Sequence, residues 1–366
     1  MAPVITSSST DAAARRPAAK MPRRRKVLYS AIVLLGFLAG CELLLRAVDP
    51  EFMQFATAYR RSHAYDPHLG VRLIPAANER LRLSRNDGST IIDWRLRVDG
   101  AGFRRAEDDA AQPGVSQEPT KLIYCLGDSL TMGWGVDFDD SYPLALGRLL
   151  GNDYRVVNLG VDARGLLAAA ADCQRVSATR KPDIVFYLFC VNDWADDAEL
   201  AAIRRRADWQ HAAVRAWRAC QAHSYVARTP QMLAWYARFR NSIAEPKSDL
   251  PFVRQARGNS AQMRAQIDFS SREYPRNETT AGLAEFHAWC QQQGVRLIVV
   301  VGDSSPETVG MIQCAEALRV EWMAVLADPS WLIQGDAHLN PRGNQALAAH
   351  LAYYLVGDRA RAIGSE

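Results

Sequence analysis

The chain has 366 residues, 48% of them apolar and 23% charged, which is ordinary globular composition with ample material for a core. The net charge of +4 is concentrated at one end: residues 1–26 carry seven basic groups against Asp11, and the rest of the chain sums to −2. A nucleic-acid-binding surface, which spreads its basic charge over a folded face, is thereby excluded. The length allows two or three domains, or one large α/β domain with decorations.

Residues 1–26 lack periodicity and are rich in Ala, Ser, Pro and Arg, so a disordered, basic, cytoplasmic tail is expected there. Residues 27–48 are apolar over about the 20 residues that a spanning helix needs. The preceding Arg/Lys cluster predicts a cytoplasmic N-terminus and export of all that follows. Two outcomes fit: an uncleaved transmembrane signal anchor, or a lipoprotein signal, since Leu38-Ala39-Gly40-Cys41 resembles the bacterial lipobox. A third reading is a buried helix of a cytosolic protein. Glu42 and Arg46 are spaced to pair one turn apart.

Residues 49–120 read as a small β-rich lead-in and linker. The stretches 70–74 and 94–98 partly alternate, turn residues fill 99–102, and 107–119 is a polar linker. From Lys121 the pattern becomes one of continuous apolar runs separated by helical segments. Strands are expected at 122–126, 154–159, 184–189 and 295–301, with a fifth near 322–326. Helices are expected at 141–150, 165–175 and 343–356. Uninterrupted apolar strands joined by helices imply a parallel sheet covered on both faces, an α/β fold over residues 121–358. The helical stretch 197–294, rich in Arg, Ala, Gln and Trp, exceeds an ordinary crossover and reads as an insertion or lid. Its Trp209, Trp217 and Trp235 suit a sugar-stacking surface or a partner surface, although aromatics at helical spacing are more often core.

Four polar groups stand at expected strand ends, where open parallel sheets bind ligands. The first is Gly127-Asp128-Ser129-Leu130-Thr131, in which Ser129 has its hydroxyl at the cleft and Asp128 doubles as an ordinary helix N-cap. The second is Asn158-Leu159-Gly160, whose glycine amide can approach a developing oxyanion closely. The third is Val191-Asn192-Asp193, with the Asn192 amide as a second donor. In the fourth, Gly335-Asp336-Ala337-His338, a carboxylate two residues from an imidazole can orient the ring as a general base. Each element alone has a bland explanation as a cap or turn. Their order along the chain is far more specific.

That constellation resembles the SGNH/GDSL hydrolase family, whose four blocks supply Ser, Gly, Asn and His. The resemblance covers about 121–356, with 197–294 poorly matched, and implies a flavodoxin-like three-layer α/β/α domain. By resemblance, Ser129 is the nucleophile, His338 the base and Asp336 the third triad member. The Ser129 and Gly160 amides and the Asn192 side chain form the oxyanion hole. Two departures stand out. Cys190 occupies the usual glycine position of the third block, and Asp336 lies two residues before His338 where three is common. The motifs 66–70 and 98–104 resemble the lead-in of exported, singly anchored members. No G-x-S-x-G elbow surrounds Ser129, which argues against the α/β-hydrolase fold.

The implied activity is ester hydrolysis, foremost O-deacetylation of a cell-envelope glycan, with lipid esters also in scope. The competing readings are an O-acetyltransferase using the same triad and a non-catalytic glycan-binding or assembly factor. No cofactor, metal or nucleic acid is expected, since no ligand spacing calls for one. The catalytic part is expected outside the cytoplasm. Cys125 and Cys190 lie in apolar runs and read as small hydrophobes; pairing among Cys173, Cys220, Cys290 and Cys314 is not legible.

Overall fold

The computed structural model describes residues 22–105, 121–244, 263–264, 267, 273–325, 328–333 and 336–363. Most of the tail at 1–26, the linker at 107–119 and Gly335 lie outside these residues. The chain divides into two units, Met1–Val48 and Asp49–Glu366. The first contains helix α1, Arg23–Val48, whose 26 residues include none that is buried. At 1.5 Å per residue it spans about 39 Å, more than a bilayer core of about 30 Å. By length and composition it is able to cross a membrane. Arg46 Nε donates to Glu42 Oε1 at 2.7 Å, the expected one-turn pair.

The second unit opens with helix α2, Glu51–Ser62, followed by two antiparallel pairs. These are β1 (His63–Asp66) with β2 (Gly70–Leu73) and β3 (Asn78–Ser84) with β4 (Thr90–Arg97). Between β1 and β2, Asp66 Oδ1 accepts the amides of His68 and Leu69, closing a tight turn. Next come β5 (Lys121–Gly127), α3 (Ser129–Met132), α4 (Tyr142–Leu150), β6 (Tyr154–Asn158), α5 (Leu166–Ser177) and β7 (Ile184–Phe189). Three helices follow: α6 (Asp193–Arg204), α7 (Asp208–His223) and α8 (Tyr225–Ala244). The chain closes with α9 (Glu278–Gln293), β8 (Arg296–Val301), α10 (Pro306–Leu318), β9 (Glu321–Ala324) and α11 (Pro341–Ile363).

Strands β5 to β9 form one parallel sheet in the order β6-β5-β7-β8-β9. Every residue of β7 is buried, as a central strand covered on both faces requires. The two-residue period of a strand divides its side chains between two cores. Val185, Tyr187 and Phe189 join one core with residues of α5, α9 and α10; Ile184, Phe186 and Leu188 join the other with α4 and α11. The result is the expected three-layer α/β/α arrangement. The lead-in belongs to the first core: Phe55, Leu81, Trp94 and Leu96 share it with Met132 and Trp134. Residues 197–294 are expected as one insertion or lid, but the last helix of that stretch behaves as a crossover. Helix α9 buries Thr280, Leu283, Phe286 and Cys290 and runs directly into β8.

Candidate active site

The order β6-β5-β7 places the end of β5 between the ends of its two neighbours, so three of the four sequence blocks converge. At the first, Gly127 has φ 148°, and a Cβ there would stand 2.4 Å from Thr131 Oγ1 and 2.8 Å from the Leu188 carbonyl, so only glycine fits. Asp128 caps α3 by accepting the Leu130 amide at 2.9 Å. Ser129 therefore begins a helix that is fixed at its start.

The fourth block arrives on the loop before α11. A bridge between Leu332 and Leu339, with the Ile333 amide donating to the His338 carbonyl at 2.8 Å, fixes that loop. The His338 ring reaches Ser129: Nε2 lies 2.8 Å from Oγ, and Nδ1 lies 2.7 Å from Asp336 Oδ1. Asp336 and His338 are buried, and the Trp134 ring sits 5.6 Å from the imidazole. With Nδ1–H donated to the carboxylate, Nε2 is left to accept the Ser129 hydroxyl proton. This is the hydrogen-bonded chain that a nucleophile–base pair needs.

Of the three expected oxyanion donors, Asn192 and the Gly160 amide are placed differently from each other. Asn192 lines the cleft, and its Nδ2 donates to Asp128 Oδ2 at 3.0 Å and to Asp196 Oδ2 at 2.8 Å. The Gly160 amide is engaged elsewhere, donating to Asn158 Oδ1 at 2.9 Å. Gly160 instead lies against the backbone of α3, where an added Cβ would meet Met132 N at 2.3 Å. Cys190, standing where the family has glycine, is buried and directs its Sγ to Asp128 Oδ1 at 3.3 Å.

Acidic groups crowd this end of β7. Asp193 is fully buried, and burial and the nearby Asp128 charge push its carboxyl well above the usual range. It accepts the Tyr187 hydroxyl at 2.5 Å. Burial also raises Asp196 and Asp197, each to about 6. Among the described residues no group of three or more His, Cys, Asp or Glu is arranged to hold a metal ion. All seven cysteines are free thiols.

Several residues that border the site are not legible in the sequence motifs. The cleft, about 450 Å³, is walled on one side by Tyr59 from the lead-in, Trp134 and Trp235 from α8, the last two stacked at 6.0 Å. Asp162, also in the wall, accepts Tyr59 Oη at 3.0 Å and contacts His63 Nε2 at 2.6 Å. Burial opposes its charge, but the His63 ring and its hydrogen bond outweigh that and hold the Asp162 carboxyl below its usual range. Arg104 is buried; it caps the Met132, Gly133 and Val136 carbonyls just beyond α3 and stacks on Trp94 at 4.6 Å. Burial lowers its pKa to about 9. Each of these links joins segments far apart in the chain, and no local spacing announces them.

No curated protein matches the chain by sequence. Among solved structures it is similar to a carbohydrate acetylesterase from Sinorhizobium meliloti, 14% identical, with a TM-score of 0.34 and covering 65% of this chain and 99% of that one. It is also similar to a psychrotrophic esterase from Pseudoalteromonas, 10% identical, with a TM-score of 0.37 and coverage of 66% and 99%. The native aryl esterase of M. smegmatis is 17% identical, with a TM-score of 0.32 and coverage of 65% and 99%. The description of the GDSL-like lipase/acylhydrolase family matches residues 125–346, more than half of the chain. The chain belongs to the GDSL-like lipase/acylhydrolase family and is a carboxylic ester hydrolase of the SGNH type.

Proposed function

We propose that the chain cleaves O-acyl esters of cell-envelope molecules, with Ser129, His338 and Asp336 as its catalytic triad. The observation that carries this reading is the chain of contacts from Ser129 Oγ through His338 to Asp336, at 2.8 and 2.7 Å. His338 Nε2 takes the Ser129 proton as Oγ attacks the ester carbonyl, and Asp336 stabilises the imidazolium. The alcohol leaves with that proton, and water, deprotonated by the same nitrogen, hydrolyses the acyl-enzyme to the free acid and regenerates Ser129. The tetrahedral oxyanion is held by the Ser129 amide and by Asn192 Nδ2, which exchanges its contact with Asp196 for one with substrate. Gly160 serves mainly by its size, since its amide is given to Asn158.

Helix α1 tethers the protein to a membrane, and the basic residues at its start keep that end in the cytoplasm and the catalytic part outside. Acetylated glycan is the first substrate to try. The cleft, at about 450 Å³, also has room for an acceptor beside an acetyl group, which favours acyl transfer to a sugar hydroxyl as the second reading. The full-length protein in detergent, given an aryl acetate and an acetylated oligosaccharide, is expected to release free acetate. Acetate appearing on an added acceptor sugar instead identifies the transferase. Asn192→Ala is expected to lower kcat by about 10²–10³-fold with the circular dichroism unchanged; wild-type kcat in that variant contradicts the assignment.

A further inference from the structure

A second cavity, about 340 Å³, adjoins the ester cleft, and Ala163 and Asp196 line both. Four arginines wall it: Arg60 on α2, Arg164, Arg206 in the turn after α6, and Arg218 on α7. Arg164 is neutralised by its buried ion pair with Asp172. The other three are not. Arg60 Nε donates to Gln231 Oε1 at 2.6 Å, but its Nη1 is buried and meets no acceptor among the described residues. Arg206 and Arg218 are half-buried, and among the described residues neither side chain has a hydrogen-bond or ion-pair partner. Burial lowers the pKa of Arg218. Two acids also border the cavity, Asp196 and Glu199, of which Asp196 is directed to Asn192 at 2.8 Å.

Cations withdrawn from water are normally paired with an anion or spend part of their charge on hydrogen bonds to acceptors. Guanidiniums in particular match the planar or tetrahedral oxygens of carboxylate and phosphate with two parallel bonds. The ester cleft is lined in part by the apolar Val325, Leu332 and Leu347, and it meets the arginine cavity at Ala163 and Asp196, which border both. An acyl substituent suits the apolar lining, which leaves the side shared with the arginines for the alcohol part of the ester.

We propose that Arg60, Arg206 and Arg218 form an oxyanion-binding subsite that recognises a carboxylate or phosphate on the alcohol part of the substrate. The preferred esters are then those of anionic alcohols, a uronate sugar or a phosphorylated polyol. This rests on the reading of Ser129 and His338 as the reacting pair.

The test uses full-length protein in detergent and two matched pairs of acetyl esters. One pair is an acetylated uronate oligosaccharide and its carboxyl methyl ester; the other is acetylglycerol phosphate and acetylglycerol. The expected kcat/KM is about tenfold or more higher for the charged member of one pair, the value of one charge-assisted contact, and that pair identifies the source of the anion. In Arg206→Gln and Arg218→Gln the charged-to-neutral ratio is expected to fall towards one, while Arg218→Lys retains part of it. The ratio is internal to each variant, so a general loss of folding does not mimic the result. Equal turnover of both members by the wild type, or a ratio unmoved in both variants, overturns the proposal. Calorimetric titration with inorganic phosphate and with glucuronate, against glucose as the neutral control, decides it independently of catalysis. Anion binding that is lost in Arg218→Gln supports the subsite even if no ester is turned over, an outcome that removes the hydrolase reading alone. Absence of anion binding overturns the subsite.

Discussion

Replacing Gly160 by alanine separates the two roles this residue can have. An alanine keeps the backbone N–H, so an enzyme that uses the Gly160 amide as an oxyanion donor should tolerate the change. The steric account predicts otherwise. A Cβ would stand 2.3 Å from Met132 N, 2.6 Å from the Thr131 carbonyl carbon and 2.8 Å from Thr131 Cβ. Two of these three atoms are backbone, in the short helix that begins with Ser129. Opening the closest contact to an ordinary 3.4 Å needs a displacement of about 1 Å. Gly127 and the Asp128 cap hold the start of α3, and Arg104 holds the carbonyls beyond it, so the strain falls on the position of Ser129. A misplacement of about 1 Å costs on the order of 10²-fold in rate, and overpacking of this kind costs about 1–3 kcal/mol of stability. Aryl acetate turnover, read alongside a thermal melt, is the assay. Wild-type kcat in Gly160→Ala would refute the steric reasoning.

Three further outcomes follow from the same geometry. Asp336→Asn should lower kcat by about 10³–10⁴-fold without unfolding the protein, because an amide no longer fixes the His338 tautomer; burst and steady-state kinetics measure it. Arg104→Met should destabilise the fold by about 3 kcal/mol or more, since it strips buried carbonyls of Met132, Gly133 and Val136 of their donor; the Tm reports it. Asp196 has its folded pKa raised from 3.8 to about 6 by burial, so its contribution to stability is present below about pH 4 and is lost as pH rises through about 6. Asp196→Asn should therefore be more stable than wild type at pH 8 by about 1 kcal/mol after allowance for solvent screening, roughly 2 °C in Tm, and equal to it at pH 4.

The parts of the fold that were legible are those written in local sequence. Apolar runs such as 184–189 have no polar face, so a doubly covered parallel strand is the only use for them, and the structure places β7 on those residues. Ser129, Asn192 and His338 were legible as candidates because their motifs occur in a specific order, each after an expected strand or before a helix, although each motif alone reads as a cap or turn. The pairing of Asn158 with Gly160 carries a signal in local sequence: an asparagine two residues before an amide is a common side-chain turn. The wall of the cleft was not legible at all. Tyr59 and His63 meet Asp162 across about a hundred residues, and Trp134 meets Trp235 across a similar gap. Such contacts depend on how the lead-in and α8 dock on the sheet, which no periodicity encodes. Trp209 and Trp217, read together with Trp235 as one possible surface, behave differently from it: they are exposed, while Trp235 packs against Phe55 at 5.1 Å.

Ser129 is the proposed nucleophile. Full-length protein treated with a fluorophosphonate, followed by intact-mass and peptide mapping, tests it most directly. One adduct per chain on the Ser129 peptide is predicted, lost in Ser129→Ala and strongly slowed in His338→Ala. A folded wild type that takes no label, or a Ser129→Ala chain that labels at the wild-type rate, would contradict it.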